Sequence, residues 1–150
     1  MAAIRQATIR DTEAVRECVR EAYSKYVERI GREPAPMLVD YEAAIVAGEA
    51  WVLVDGDETT GVLVMRPENG HLFVETVAVR PGRQGSGLGR KLMAFAEQAA
   101  TSRGLDEIRL YTNEKMVENL PFYRGLGFEE TGRKLDEGYR RVFMKKRLGV

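Results

Sequence analysis

Val77-Ala-Val-Arg-Pro-Gly-Arg-Gln-Gly-Ser-Gly-Leu-Gly-Arg-Lys91 is the stretch on which the reading of this chain turns. An apolar strand, Leu72 to Val79, runs into a loop with glycines at alternate positions, Gly85, Gly87 and Gly89. An amphipathic helix begins at once, with Leu88, Leu92, Phe95, Ala96 and Ala99 on one face. Glycine has no Cβ to keep a ligand away from the backbone. The first turn of the following helix offers unpaired N–H groups and the positive end of its dipole. Such a junction suits phosphate groups. Arg83, Arg90 and Lys91 are expected to add mobile positive charge, so the ligand expected here is a phosphorylated cofactor.

Spacing narrows the choice of cofactor. A Walker loop needs Gly-x-x-x-x-Gly-Lys-Ser/Thr, but the nearest register, Gly82 to Gly87, is followed by Leu88 and Gly89. A dinucleotide fingerprint needs Gly-x-Gly-x-x-Gly in the first βα turn; from Gly85 the third glycine position is Arg90, and the loop follows several strands. What fits is Gln-x-x-Gly-x-Gly, as Gln84, Gly87 and Gly89, directly after a Val-x-Val strand end. This resembles the acyl-coenzyme A loop of the GNAT superfamily of N-acetyltransferases. A second segment, Asn119-Leu-Pro-Phe-Tyr123-Arg-Gly-Leu-Gly127-Phe128, resembles that family's "Asn…Phe-Tyr…Gly-Phe" helix and turn.

The chain of 150 residues is the size of one domain. Lys plus Arg and Asp plus Glu both number 23, giving a formal net charge of zero. Nothing global favours nucleic acid or membrane, so the basic residues near the glycine loop are read locally. A single Cys18 forms no internal disulfide, and one histidine makes no metal cluster with it. No N-terminal apolar run resembles a signal peptide or spanning helix. A reducing cytoplasm is the expected setting, and no metal is expected.

Periodicity and turn residues give the order β-α-α-β-β-β-α-β-α-β-β, a mixed α/β sheet with helices on both faces. Ile4 to Ala7 reads as a strand; Thr8 and Asp11 open a helix that Gly31 ends, and Pro34-Ala-Pro36 is expected to forbid helix in the next loop. Asp40 caps a helix from Tyr41 to Ala47. Strands follow at Trp51 to Val54, Thr60 to Met65 and His71 to Val79, separated by Asp55-Gly56-Asp57 and Pro67-Glu-Asn-Gly70. After the helix ending near Arg103 come a strand from Ile108 to Thr112, a helix from Val117 to Gly125, and strands Phe128 to Lys134 and Tyr139 to Lys146. One acetyltransferase domain over residues 1–150 is expected.

The resemblance implies acetyl-coenzyme A as acyl donor, held by Val77, Ala78, Val79 and the loop and helix start from Arg83, Gln84, Gly85, Ser86 and Gly87 to Leu88, Gly89 and Arg90. Its pantetheine arm is expected between two splayed strands, paired with backbone groups of Val77 and Val79; the plain alternative is two core valines. Tyr123 is implied as the acid that protonates the departing thiolate, against a packing role. Asn119 either bonds the pantetheine chain or caps its helix. Glu75 is a candidate base, since strand alternation places it beside Val77; otherwise it is solvated or paired. Tyr23, Tyr26, Met37 and Tyr41 fall where the family usually builds its acceptor wall, although the tyrosines also suit a core. His71 is expected in solvent, Cys18 and Trp51 in the core.

The resulting expectation is an acetyl-coenzyme A dependent N-acetyltransferase acting on a primary amine, small molecule or peptide, by direct transfer in a ternary complex. The alternatives are a non-catalytic acyl-coenzyme A binding or regulatory module and, less so, a thioesterase. A homodimer is common in such folds.

Overall fold

The computed structural model describes residues 2–149. Seven strands form one sheet: β1 (Ala2–Gln6), β2 (Ala50–Asp55), β3 (Glu58–Glu68), β4 (His71–Val79), β5 (Glu107–Asn113), β6 (Glu129–Asp136) and β7 (Tyr139–Arg147), in the order β1-β2-β3-β4-β5-β7-β6. Every neighbouring pair is antiparallel except β4 with β5. The helices are α1 (Thr12–Tyr23), α2 (Lys25–Ile30), α3 (Tyr41–Val46), α4 (Leu88–Ser102) and α5 (Asn119–Gly125). The mixed α/β architecture read from the sequence is the one observed.

Strand alternation sorts the apolar side chains into two cores, one on each face of the sheet. Val52, Val62 and Val64 join Val15 and Val19 of α1 and Ile45 of α3. Their neighbours Leu53, Leu63 and Met65 turn the other way, against Leu92, Met93 and Ala96 of α4. Gly61 permits that second contact, because a Cβ there would stand 3.1 Å from the Leu92 side chain and 3.2 Å from the Ala78 carbonyl.

Several boundaries differ from the sequence expectation. The first helix is interrupted at Ser24, which is αR and joins α1 to α2. A 3₁₀ turn, Ala35–Leu38, occupies the proline loop, with Pro36 early enough that its missing N–H costs nothing. β3 begins at Glu58 and runs to Glu68, taking in Pro67 next to the hairpin turn. α5 starts at Asn119. His71, expected in solvent, is only 8% exposed; its ring nitrogens meet the Asn69 carbonyl at 3.0 Å and the Glu68 carboxylate at 3.3 Å.

Candidate active site

The sheet opens where β4 leaves β5. The two strands pair at Leu72 with Ile108 and Phe73 with Arg109, and then part. Arg80 N–H donates to Thr60 O at 2.9 Å, so alternation turns the backbone groups of Ala78 toward β3 and those of Val77 and Val79 toward the gap. On the gap side the Val77 carbonyl accepts from Tyr23 Oη at 2.7 Å and the Val79 carbonyl from Gln84 Nε2 at 3.1 Å. The amides of these two valines face no strand.

From this gap a groove runs over the glycine loop to the start of α4, lined by Val77, Val79, Gln84, Gly85, Gly87 and Gly89. Gly85 and Gly87 have φ of +84° and +83°, and no atom lies within 4 Å of where a Cβ would stand. The loop therefore needs glycine for its conformation and leaves open the space a side chain would fill. α4 begins next to it with a first turn that carries no acidic residue. A glycine-lined loop at a helix N-terminus suits a phosphate group.

The expected ring of mobile cations is smaller than anticipated. Arg83 lines the groove but is held by Asp55 at 2.9 Å and Glu58 at 2.6 Å. Lys91 Nζ donates to Ala2 O at 2.7 Å. Arg90 makes no side-chain hydrogen bond or ion pair among the described residues and is exposed on the groove wall. Ser86 Oγ turns back to the Arg83 carbonyl. Ala78 is buried against the α1 side, and Leu88 packs on the α4 side.

On the other side of the gap lies a cavity between β4, β5 and the 3₁₀ turn, walled by Tyr23, Pro36, Glu75, Tyr111, Asn113 and Arg141. Val77, Asn119 and Tyr123 line both groove and cavity. Tyr123 is 7% exposed, its ring set edge-on against Phe122 and Phe128, and its hydroxyl makes no hydrogen bond among the described residues. Burial holds that phenol above its ordinary pKa, so at neutral pH it keeps its proton. Asn119 does not cap α5: its Nδ2 donates to Thr112 Oγ1 at 3.1 Å and contacts the Met116 sulfur at 3.6 Å, while Glu118 holds the cap position.

Glu75 sits at a β-bulge. The register passes from Val64–Thr76 to Met65–Val74, leaving Glu75 unopposed, and Val74 and Val77 both pack toward α4. Simple alternation with Val77 therefore fails. The Glu75 Oε1 is bound by Arg66 Nη1 at 2.8 Å, and that guanidinium lies 5.0 Å from the centre of the Phe73 ring. Glu75 Oε2 makes no hydrogen bond among the described residues.

Of the four expected acceptor-wall residues, Tyr23 alone lines the cavity. Tyr26 lines the groove instead, with Lys25 and Arg29 about 5 Å from its ring centre. Tyr41 is buried beneath the wall, its hydroxyl shared with Thr76 Oγ1 at 3.1 Å, and Met37 packs on the α1 core. Tyr111, Asn113, Tyr139 and Arg141 were not singled out by sequence reasoning. Their alternation along β5 and β7 gives one face, but only the strand pairing shows that this face borders the gap. Cys18 is fully buried, and burial pushes its thiol up to about 12. Among the described residues no group of three His, Cys, Asp or Glu is placed to hold a metal ion. No helix among the described residues is long and apolar enough to cross a membrane.

A parted sheet with a glycine-lined helix start in the gap defines the class of fold and site, and comparison gives that class its name. The pattern of the acetyltransferase (GNAT) family matches residues 12–128, and the chain belongs to that family. It is 37% identical over 91 residues to mycothiol acetyltransferase of Thermobifida fusca, covering 61% of this chain and 27% of that protein. The corresponding enzyme of Frankia casuarinae is 35% identical over 92 residues, covering 61% and 26%. The chain thus spans about a quarter of the length of these relatives. In fold it is similar to the PaiA N-acetyltransferase of Thermoplasma acidophilum crystallised with coenzyme A, with a TM-score of 0.84 at 19% identity over 98% of this chain and 99% of that one.

Proposed function

We propose that this protein is an acetyl-coenzyme A dependent N-acetyltransferase that moves an acetyl group directly to a primary amine in a ternary complex. The observation that carries the proposal is the position of the Tyr123 phenol, proton-bearing and without a hydrogen-bond partner among the described residues, on the wall shared by the groove and the cavity. When bound, acetyl-coenzyme A supplies a thioester carbonyl open to attack and a thiolate in need of a proton. Overall a C–S bond breaks and an N–C bond forms, and a protonated amine loses two protons: one is released to solvent through the base, and the other ends on sulfur, replacing the one that the phenol donates.

Val77 and Val79 turn their amides to the gap, where they hold an extended amide chain and can donate to a carbonyl oxygen that gains negative charge. Gly85, Gly87 and the first turn of α4 receive phosphate, with Arg90 as the free cation. Tyr123 donates its proton to sulfur. Glu75 takes a proton from the amine, directly or through water, with its Oε2 free while Arg66 holds Oε1. An amine with pKa about 10 arrives mostly protonated, so such an acceptor is needed at neutral pH. The only cysteine is sealed in the core, which leaves direct transfer as the route that these side chains serve.

Incubation with acetyl-coenzyme A and a panel of primary amines, read by free-thiol release, tests the reading. Amine-dependent release is expected. Release independent of amine would make the protein a thioesterase. Coenzyme binding without release under any condition would make it a non-catalytic binding module.

A further inference from the structure

The residues that belong to the cavity alone carry information about the acceptor. β5 and β7 pair with Asn113 opposite Arg141, so the two side chains stand together on one face of the sheet. Arg141 is 6% exposed, and its guanidinium lies 4.2 Å from the centre of the Tyr111 ring. Its Nη1 is taken by Asp136, the last residue of β6, at 2.6 Å and lies 3.5 Å from Glu137 in the tight turn that follows. Its Nε is buried and has no acceptor among the described residues. The Asn113 Oδ1 accepts from Lys115 N–H at 2.9 Å, which fixes the amide and leaves Nδ2 without a protein partner among the described residues. Two neighbouring N–H donors, one on a buried cation, thus lack an acceptor. A buried guanidinium N–H is costly to leave unmade, and a water, ion or ligand oxygen ordinarily completes it.

The opposite charge is present in the same cavity. Glu75 lines it, tethered by Arg66 through one oxygen only. Tyr111 lies close enough to both Glu75 and Arg141 for its phenol to feel each charge. The roof is tied down as well: Tyr139 Oη donates to Glu33 O at 2.6 Å, and Arg32 stacks 4.1 Å from the Tyr139 ring centre. That tether holds the chain leading into Ala35 and Pro36 over the cavity and favours a small acceptor over the tail of a folded protein.

We propose that the acceptor is a small amino acid, a primary amine that also bears a carboxylate. The carboxylate is received by Arg141 Nε and Asn113 Nδ2, and the amino group is directed toward Glu75 and Tyr123. This rests on the transferase reading above and specifies its substrate class. A polyamine, by contrast, would bring only further N–H donors and a second cation to Arg141 Nε and Asn113 Nδ2, which themselves need an acceptor.

The test uses matched ligands on the wild-type protein: the common α-amino acids, β-alanine and γ-aminobutyrate, each beside its decarboxylated amine. Binding to the coenzyme A-loaded protein is measured by calorimetry, and turnover by thiol release. For the preferred side chain, the carboxylate-bearing member should exceed its decarboxylated counterpart roughly 10- to 100-fold in affinity and in kcat/KM, the range for hydrogen bonds to a charged group. Asn113→Asp keeps the acceptor for Lys115 N–H but replaces the Nδ2 donor with a repelling oxygen. It should raise KM for the amino acid by at least about 100-fold with a much smaller change in kcat, while the decarboxylated amine loses far less. Arg141→Lys, which keeps charge but lacks Nε, should act in the same direction. Decarboxylated amines that bind and react as well as their partners, or an Asn113→Asp variant with unchanged KM, would overturn the proposal and leave the transferase reading standing. Amino acid binding that Asn113→Asp abolishes, with no thiol release from any mixture, would uphold the carboxylate site and overturn the transferase reading instead.

Discussion

Tyr123 can be tested with little structural cost, because its hydroxyl makes no hydrogen bond among the described residues. Tyr123→Phe keeps the edge-on packing against Phe122 and Phe128. Thermal stability and coenzyme A affinity should stay near wild type, while kcat falls roughly 10- to 1,000-fold, as loss of a general acid predicts. Steady-state kinetics at saturating amine decide it, since an unchanged kcat would assign the phenol to packing. Glu75→Gln retains shape and can still accept from Arg66 through its carbonyl oxygen. If Glu75 removes the amine proton, the variant should lose most activity near neutrality and recover part of it as pH rises and more amine is already neutral. A pH–rate profile parallel to wild type would sink that role. At this scale the sequence was legible where a residue's position is carried by its neighbours in the chain, as with Tyr123 in its Phe-Tyr helix. It misled where geometry depends on a partner strand: nothing in Val74-Glu75-Thr76 announces a bulge, and Asn113 and Arg141 meet only through a pairing between segments 28 residues apart by number.

At the scale of elements, the glycine loop and the first turns of the chain behave differently toward charge. Gly87 combines φ of +83° with open space beside it. Gly87→Glu would strain that conformation and place an anion where phosphate is proposed to sit, so coenzyme A affinity should fall by about 2–4 kcal/mol. Calorimetry on a variant with wild-type circular dichroism settles this; unchanged affinity would remove the loop from the phosphate site. Asp11, by contrast, is a stabilising anion. It is bound bidentately by Arg5 at 2.8 and 2.9 Å and accepts from Thr8 N–H at 2.7 Å. The Arg5 hydrogen bonds above all lower its pKa to about 2. An acid whose folded pKa is depressed stabilises fully above its unfolded value near 4 and loses that contribution as pH falls toward 2. Allowing for solvent screening at this partly exposed pair, about 1–2 kcal/mol is at stake. Asp11→Asn should therefore lower neutral-pH stability by that amount and flatten the stability curve between about pH 4 and 2, as urea titrations across that range would show. Both elements were visible beforehand, the loop in its glycine spacing and the helix start in Thr8 and Asp11. The break at Ser24 was not, because Ser24 keeps helical dihedrals and the apolar period runs through it.

For the whole molecule, the proposed coenzyme is a bridge between parts that the sheet itself leaves apart. β4 and β5 share only two residue pairs, and beyond Phe73 the start of α4 approaches α5 at Gly89 and Phe122, with 3.3 Å between that ring and the position of a Cβ on Gly89. The residues themselves disclosed the order of elements and the loop, whereas the opening was expected only through the family resemblance, since strand divergence is a property of the pairing rather than of either strand. A ligand that binds only the folded state adds RT ln(1 + [L]/Kd), about 2.7 kcal/mol at 100 times Kd. For a chain of this size that amounts to a rise in Tm of roughly 5–10 °C. Amide hydrogen exchange should slow at Val77 and Val79, at Gly85 to Gly89 and in the first turn of α5, and change little in β1 and β6 at the outer edges of the sheet. Gly87→Glu should remove most of the shift in Tm, whereas Tyr123→Phe should keep it, because the first meets the proposed phosphate and the second only the sulfur. Equal shifts in both variants, or protection confined to the edge strands, would place the coenzyme somewhere other than the gap between β4 and β5.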